Sequence, residues 1–562
     1  MKIYKVIAFI ALWTVAGCTK LDLNPLSQGS SASWYTNETE IQMSVNDLFK
    51  KAFWPRDNDL WTDDLSFRGE VNSMNGGTLN AENSTVETIW ANAYKAISRS
   101  IKILEGLDDP NSTISEELKT KYEAISRFVR ASQYARLISH WGDVPYFETS
   151  LGLKESFDLA RTDKNTILQS IYEDYDFAAA NLPVEYGSSD VAYPTKGAAL
   201  AMKARIALYM ADYAVARDAA KACMDLDQYS LNPDFRSQFL SSMKGGSESI
   251  FYLPQSVELG DYESECKYYI SRLGGGFGSR NPTYDLFSAF LCTDGLPVDQ
   301  STLFNPRDPF ANRDPRCAET IVKPGSDWLG FRFQPHPDSM TVLNLKTGSM
   351  VKNNDNRAVN INAPFNGLLM KKGIDEDYSD DYKADPDIVI VRYADVLLMY
   401  AEAKIELNEI DGSVNDAINQ VRARAYKVGV DETSRYPAVT ATDQKSLRKA
   451  IRFERRMELA FEGRRYMDLI RWKLAEKALN EPSYGLLDVA DLKTKVIDAG
   501  LWFFPGTPSI DDNAITDLSS LYSQGLIKLF GITAFDAGKN YLWPIPSKEI
   551  IVNPNLKQNP GY

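Results

Sequence analysis

Two stretches of this chain are apolar on more than one side of a helix, which restricts the fold to one that stacks helices. They are Ala199-Leu200-Ala201-Met202-Lys203-Ala204-Arg205-Ile206-Ala207-Leu208-Tyr209 and Val396-Leu397-Leu398-Met399-Tyr400-Ala401-Glu402-Ala403-Lys404. A helix lying on a surface carries one apolar stripe; a helix apolar nearly all round must be covered by neighbours. Each stretch is followed by a short turn and a more amphipathic partner, Tyr213–Leu226 and Ser413–Ala425.

Other segments share the 3.6-residue spacing. Thr88–Leu107 repeats apolar residues at Ile89, Ala93, Ala96, Ile97 and Ile101, and its partner starts at the N-cap Ser115 and runs to Ser139. Helices are expected near Glu38–Phe53, Asn165–Asn181, Thr195–Met210, Tyr393–Leu407 and Ser446–Phe461, the last continuing to Trp472. The pairs resemble tetratricopeptide-type hairpins, although no strict repeat is visible. The expected fold is mostly α: a tetratricopeptide-like helical-repeat core, an irregular loop-rich layer and a few short strands. One domain over 36–562 is expected, its helical core covering 86–226 and 390–475 and its loop layer 54–85 and 227–388. In the layer Gly, Pro, Asn and Asp accumulate, as at Gly274-Gly275-Gly276-Phe277-Gly278, and Ser249–Leu253 reads as a strand.

The N-terminus limits where this body sits. Lys2 and Lys5 precede an apolar run from Val6 to Ala16, then Gly17 and Cys18. The run suits a signal h-region and falls short of the ~20 residues that span a bilayer. Small residues before a cysteine look like a bacterial lipoprotein signal: 1–17 is removed, the Cys18 thiol takes diacylglycerol, and 18–35 forms the tether. An ordinary secretory signal is the alternative.

A net charge of −14 argues against non-specific nucleic-acid binding, which needs phosphate-neutralising cations. Cys223, Cys266, Cys292 and Cys317 lack CxxC spacing and read as buried thiols, with Cys292–Cys317 the one pairing left open. Aromatics are plentiful (29 Tyr, 25 Phe, 10 Trp) and histidines number two. That balance suits surface recognition better than metal or acid–base chemistry.

Five motifs then occur in order: Arg127-Phe128-Val129-Arg130-Ala131 continuing to His140-Trp141-Gly142-Asp143-Val144-Pro145; Asp308-Pro309-Phe310-Ala311-Asn312-Arg313-Asp314-Pro315-Arg316; Arg392-Tyr393-Ala394-Asp395; Glu454-Arg455-Arg456-Met457-Glu458-Leu459-Ala460-Phe461-Glu462-Gly463-Arg464-Arg465; and Leu542-Trp543-Pro544-Ile545-Pro546 with the end Asn553–Tyr562. Behind a lipoprotein signal they resemble the SusD/RagB family of Bacteroidetes outer-membrane lipoproteins. That resemblance implies a non-catalytic surface protein tied to the outer membrane by lipid and facing the exterior. It implies capture of oligosaccharides and delivery to a SusC-like TonB-dependent transporter, over which the protein closes as a lid; RagB-type peptide uptake is the alternative.

Glu454, Glu458 and Glu462 fall at i, i+4 spacing, as do Arg448, Arg452 and Arg456. Like charges in a row need partners from other elements, so these rows are expected to be structural. His140 and His336 have no ligand-spaced companions, and no catalytic residue, metal ligand or cofactor is assigned. Asp375, Asp377, Asp380 and Asp381 lack the EF-hand glycine and read as a solvated loop; a structural calcium stays open. Sugar binding needs flat aromatic faces beside polar groups. The ligand residues expected on that ground are Trp54, Trp61, Arg68, Asn72, Asn75, Tyr268, Phe277 and Trp328, with Trp61 and Trp328 foremost, whereas Trp90 is expected in the core.

Overall fold

The computed structural model describes residues 34–562 except 36, 111, 188–189, 191–192, 377, 379–381 and 502–504. Cys18 and most of the expected tether lie outside the described residues, as do Asp377, Asp380 and Asp381. The longer helices are α1 (Glu38–Asp47), α2 (Ser84–Leu107), α3 (Glu116–Trp141), α4 (Lys164–Asn181), α5 (Lys196–Tyr209), α6 (Tyr213–Met224), α7 (Tyr393–Glu406), α8 (Gly412–Ala425), α9 (Gln444–Leu459) and α10 (Arg465–Arg471). Their starts are written locally. Asn83, Ser115, Asp163, Thr195, Asp212, Asp411 and Asp443 each accept a first-turn backbone N–H through the side chain, each cap contributing ~1 kcal/mol. At the far end of α3, Gly142 takes φ +75° and ends the helix, and Trp141 is packed.

Neighbours in the stack follow chain order: α2 on α3, α3 on α4, α4 on α5, α5 on α6. The chain then leaves through the loop-rich layer and returns with α7 against α6, followed by α8 and α9 against α7. The two helical halves thus form one continuous stack. Every residue of α7 from Ala394 to Ile405 is buried, which explains its all-round apolarity.

Four strands tie the layer to the stack: β1 (Leu65–Phe67), β2 (Ser249–Leu253), β3 (Arg280–Pro282) and β4 (Ile388–Arg392). β4 pairs antiparallel with β2, Ile388 opposite Leu253, and feeds directly into α7. β1 pairs antiparallel with β3, Leu65 opposite Pro282 and Phe67 opposite Arg280.

Two hydrophobic clusters result, one inside the stack and one under the layer. Helix α9 faces both: Leu447, Ile451 and Leu459 point to the first, Phe453 and Met457 to the second. Between these faces its glutamate row and Arg456 are buried, Arg448 and Arg452 are partly buried, and the charges are answered from other elements. Glu454 meets Arg316 at 2.7 Å and Arg422 at 2.8 Å. Glu458 meets Arg392 at 2.6 Å and Arg316 at 2.9 Å, with Arg424 also bonded; Glu462 meets Lys372 and Arg392, each at 2.6 Å. From the opposite row, Arg448 binds Glu406 at 2.8 Å and Arg456 binds Asp64 at 2.8 Å.

Two helix expectations need correction. α9 does not run on to Trp472: Phe461 (φ +63°) and Gly463 (φ +67°) break it before α10. A Cβ on Gly463 would sit 2.5 Å from the Asp57 carbonyl, so glycine is required where these segments cross. Likewise α1 stops at Asp47, and 51–53 is a separate single turn. The four described cysteines are free and buried, with no Cys292–Cys317 bridge, and burial pushes the Cys317 thiol up to about 12.

Candidate functional site

The expected tryptophan platform does not form. Trp61 is 7 % exposed and Trp328 only 2 %. Trp61 packs edge-on against Tyr466 and Trp543, with centroids 5.7 and 5.5 Å away. Trp328 lies in the cluster under the layer, beneath the Arg236 guanidinium at 5.3 Å. Trp54 is buried as well, stacked on Phe49 and Phe128, and its indole N–H donates to Leu48 O at 2.9 Å. Trp90 is in the core, as expected.

The polar residues beside these tryptophans misled the sequence reading because they are spent within the segment or on buried arginines of other elements. The Asn72 and Asn75 side chains both donate to Leu60 O, at 2.7 and 3.0 Å, and Asn75 is itself buried. Asp63 and Asp64 pair with Arg465 and Arg456 at 2.7 and 2.8 Å. A polar sequence threaded through the core satisfies its backbone and its charges this way, so its composition resembles that of a solvated loop.

Arg68, Tyr268 and Phe277, by contrast, come together. β1 ends at Phe67, and Arg68 adopts a left-handed φ of +52°, followed by Gly69 at +80°. The Arg68 backbone N–H donates to Ser279 O at 3.0 Å, holding this turn against the 268–279 loop. That loop folds on itself through Phe277 N to Lys267 O (2.7 Å), Gly278 N to Ile270 O and Ser279 N to Tyr268 O (both 2.8 Å). Its glycines permit the close approach, since a Cβ on Gly276 would lie 2.5 Å from Ile270 O.

The Tyr268 and Phe277 rings consequently stand 5.6 Å apart at 64°, with Phe67 6.5 Å from Tyr268. Phe277 is 42 % exposed; Phe67 and Tyr268 are half-buried. From behind, the Arg280 guanidinium covers Tyr268 at 4.6 Å and is neutralised by Glu265 at 2.6 Å. Arg68 reaches across to Asn362 Oδ1 at 3.1 Å and Phe277 O at 3.5 Å. Phe530 closes another side, with Gly69 required beneath it: a Cβ there would meet the Phe530 side chain at 2.4 Å.

The arrangement offers aromatic faces, an exposed amide and a guanidinium on a loop clamped by backbone hydrogen bonds. Sequence reasoning missed Phe67, Asn362 and Phe530. Nothing local marks them, because they reach the face only through β1–β3 pairing and the packing of the C-terminal segments. Among the described residues no group of three or more His, Cys, Asp or Glu could hold a metal ion. His140 is buried against Asp57 at 3.1 Å.

Comparison with known proteins agrees with this architecture. Residues 247–562 match the SusD family model, and residues 31–208 match a model described as starch-binding associating with outer membrane. The SusD-like protein P25 of Formosa agariphila is 25% identical over 520 residues, covering 86% of this chain and 92% of that one. The crystal structure of a SusD-like carbohydrate-binding protein from Bacteroides fragilis superposes with a TM-score of 0.77 at 26% identity, covering 93% of this chain and 99% of that one. A laminarin-binding SusD-like protein shares the fold at a TM-score of 0.63 and 19% identity, over 94% of this chain and 100% of that one. With more than half its length matched by the family model, and with the helical stack and motifs in place, this chain belongs to the SusD family.

Proposed function

We propose that this protein is a non-catalytic glycan-binding lipoprotein, anchored in the outer membrane through Cys18 and facing the exterior. It captures oligosaccharides on the face formed by Phe67, Arg68, Tyr268 and Phe277 and delivers them to a SusC-like TonB-dependent transporter. The observation that carries this reading is the exposed Phe277 ring beside Tyr268, with Arg68 and Asn362 at its edge. Sugars present C–H surfaces that stack on such rings and hydroxyls that bond to the polar rim. The carbohydrate-binding description of the B. fragilis relative supports the same ligand class.

A shallow face buries little of a polar ligand, so affinity is modest and release easy. Glycosidases set two carboxyl groups across the scissile bond; this face has arginines and an amide at its edge, with Glu70 near Arg68. Isothermal titration of the mature protein against a glycan panel and a peptide digest tests the proposal. Heat with glycans and no new reducing ends on prolonged incubation is the expected result. Heat with peptides alone overturns the glycan reading, and new reducing ends overturn the non-catalytic one. Co-purification with the transporter tests delivery.

A further inference from the structure

Three arginines converge beside the aromatic face with acids near but not paired to them: Glu70 near Arg68, Asp355 near Arg272 and Asp488 near Arg357. Arg272 donates to Gly276 O at 3.4 Å, Arg68 to Phe277 O at 3.5 Å and to Asn362 Oδ1 at 3.1 Å, and Arg357 to Ile361 O at 3.4 Å. They therefore close on two pairs of consecutive residues, 276–277 and 361–362, which Arg68 bridges. Among the described residues none of the three forms an ion pair, whereas cations around them do: Arg280 with Glu265 at 2.6 Å and Lys528 with Asp488 at 2.8 Å. Gathering cations without directly paired acids is costly, and this chain has acids to spare, 76 against 62 basic residues.

The strain shows in two further places. Arg68 holds a left-handed backbone at φ +52°, uncommon outside glycine, asparagine and aspartate. Burial, then the charge of Arg272 and to a lesser extent that of Arg357, lower the pKa of its guanidinium against the opposing charge of Glu70. Strained, mutually repelling groups persist where a ligand answers them. Guanidinium groups are suited to planar or multi-oxygen anions, which they bind through paired N–H donors.

We infer that the Phe67–Tyr268–Phe277 face takes acidic oligosaccharides, in which a carboxylate or sulfate group settles among Arg68, Arg272 and Arg357 while an adjoining sugar ring stacks on Phe277. This deepens the glycan reading above and rests on it. Carboxylate and sulfate share the required chemistry: an oxyanion a short distance from an apolar sugar face.

The test titrates the mature full-length protein with pairs of glycans that share a backbone. One arm uses oligogalacturonides and their carboxyl-reduced counterparts; the other uses chondroitin sulfate oligosaccharides, intact, desulfated and carboxyl-reduced; laminarin oligosaccharides serve as a neutral reference. We expect an acidic member to bind about tenfold or more tighter than its neutral counterpart, the strength of a charge-assisted contact, and to weaken with added salt. The arm that responds identifies the anion. Arg68→Gly suits the left-handed backbone, so it should keep the parental melting temperature while losing about tenfold in affinity. Arg357→Gln should lose a comparable factor. Equal affinity for neutral and acidic partners, or unchanged affinity in both variants, overturns the inference and leaves glycan binding standing. No heat with any saccharide overturns both.

Discussion

Trp61 and Trp543 meet edge-on, their ring centroids 5.5 Å apart at 78°, and both are buried. The contact joins the polar 54–83 segment to the C-terminal Trp-Pro motif, with Trp141 5.0 Å from Trp543 on the far side. The Trp543 indole N–H donates to Tyr466 Oη at 2.7 Å and that of Trp141 to Pro544 O at 2.8 Å. Two of the motifs that mark the family, those of Trp141 and Trp543, therefore close one aromatic cluster with Trp61 and Tyr466.

Trp61→Ala should accordingly act on stability. Removing a buried indole costs about 3–5 kcal/mol, read as a lowered denaturation midpoint. Glycan affinity measured on the folded protein should stay at the parental level. A parental midpoint with lost binding would show Trp61 to be a ligand residue after all.

Phe277→Ala should do the opposite. Its ring is 42 % exposed, so truncation should leave the melting temperature nearly unchanged. Loss of stacking, ~1 kcal/mol, should weaken glycan binding about fivefold. Unchanged affinity in calorimetry would place the ligand elsewhere.

Glu458→Gln should be severely destabilising. Burial opposes the charge of Glu458, but Arg424, Arg392 and Arg316 win and hold its carboxyl well below the usual range. Neutralising it strands those arginines in the core at a cost of about 3–5 kcal/mol. A denaturation midpoint close to the parent's would show that the network contributes little.

Asp59 predicts a pH effect of the opposite sign. Burial, then the charge of Asp64, pushes its carboxyl up to about 7, and its Oδ1 has no hydrogen-bond partner. Unfolded, an aspartate ionises near ~3.9. Between those values the native state holds a proton that the unfolded state has lost, so this group's contribution to stability falls as pH rises through the window. Asp59→Asn should gain on the parent from about pH 4 to about pH 7 and then hold constant, by a few kcal/mol at most. A stability difference that does not change with pH contradicts the assignment.

Cys18→Ser should move the protein from the membrane to the soluble fraction and reduce glycan uptake. Affinity in solution should not change. In the proposed function, the anchor supplies a high local concentration of the protein at its transporter. Retention in the membrane fraction would refute lipid anchoring at this residue.

Short-range physics made the helices legible: caps such as Ser115 and Asp443, the stop at Gly142 and the apolar spacing act over one or two turns. The all-round apolarity of Ala199–Tyr209 and Val396–Lys404 demanded a stack. The like-charged rows of 448–462 demanded partners, although their spacing alone could not say that Arg316, Arg392 and Arg424 would supply them. What Trp54, Trp61 and Trp328 do was decided only in three dimensions. Trp61 and Phe277 both sit among polar or glycine-rich neighbours, yet Trp543 and Tyr466 cover the first, whereas the Phe277 ring stays 42 % exposed beside Tyr268. The same holds for the face itself: Arg68, Phe277, Asn362 and Phe530 lie far apart in the chain. They meet because β1 pairs with β3 and because glycines at 69 and 276 let backbone and ring approach where a Cβ would collide.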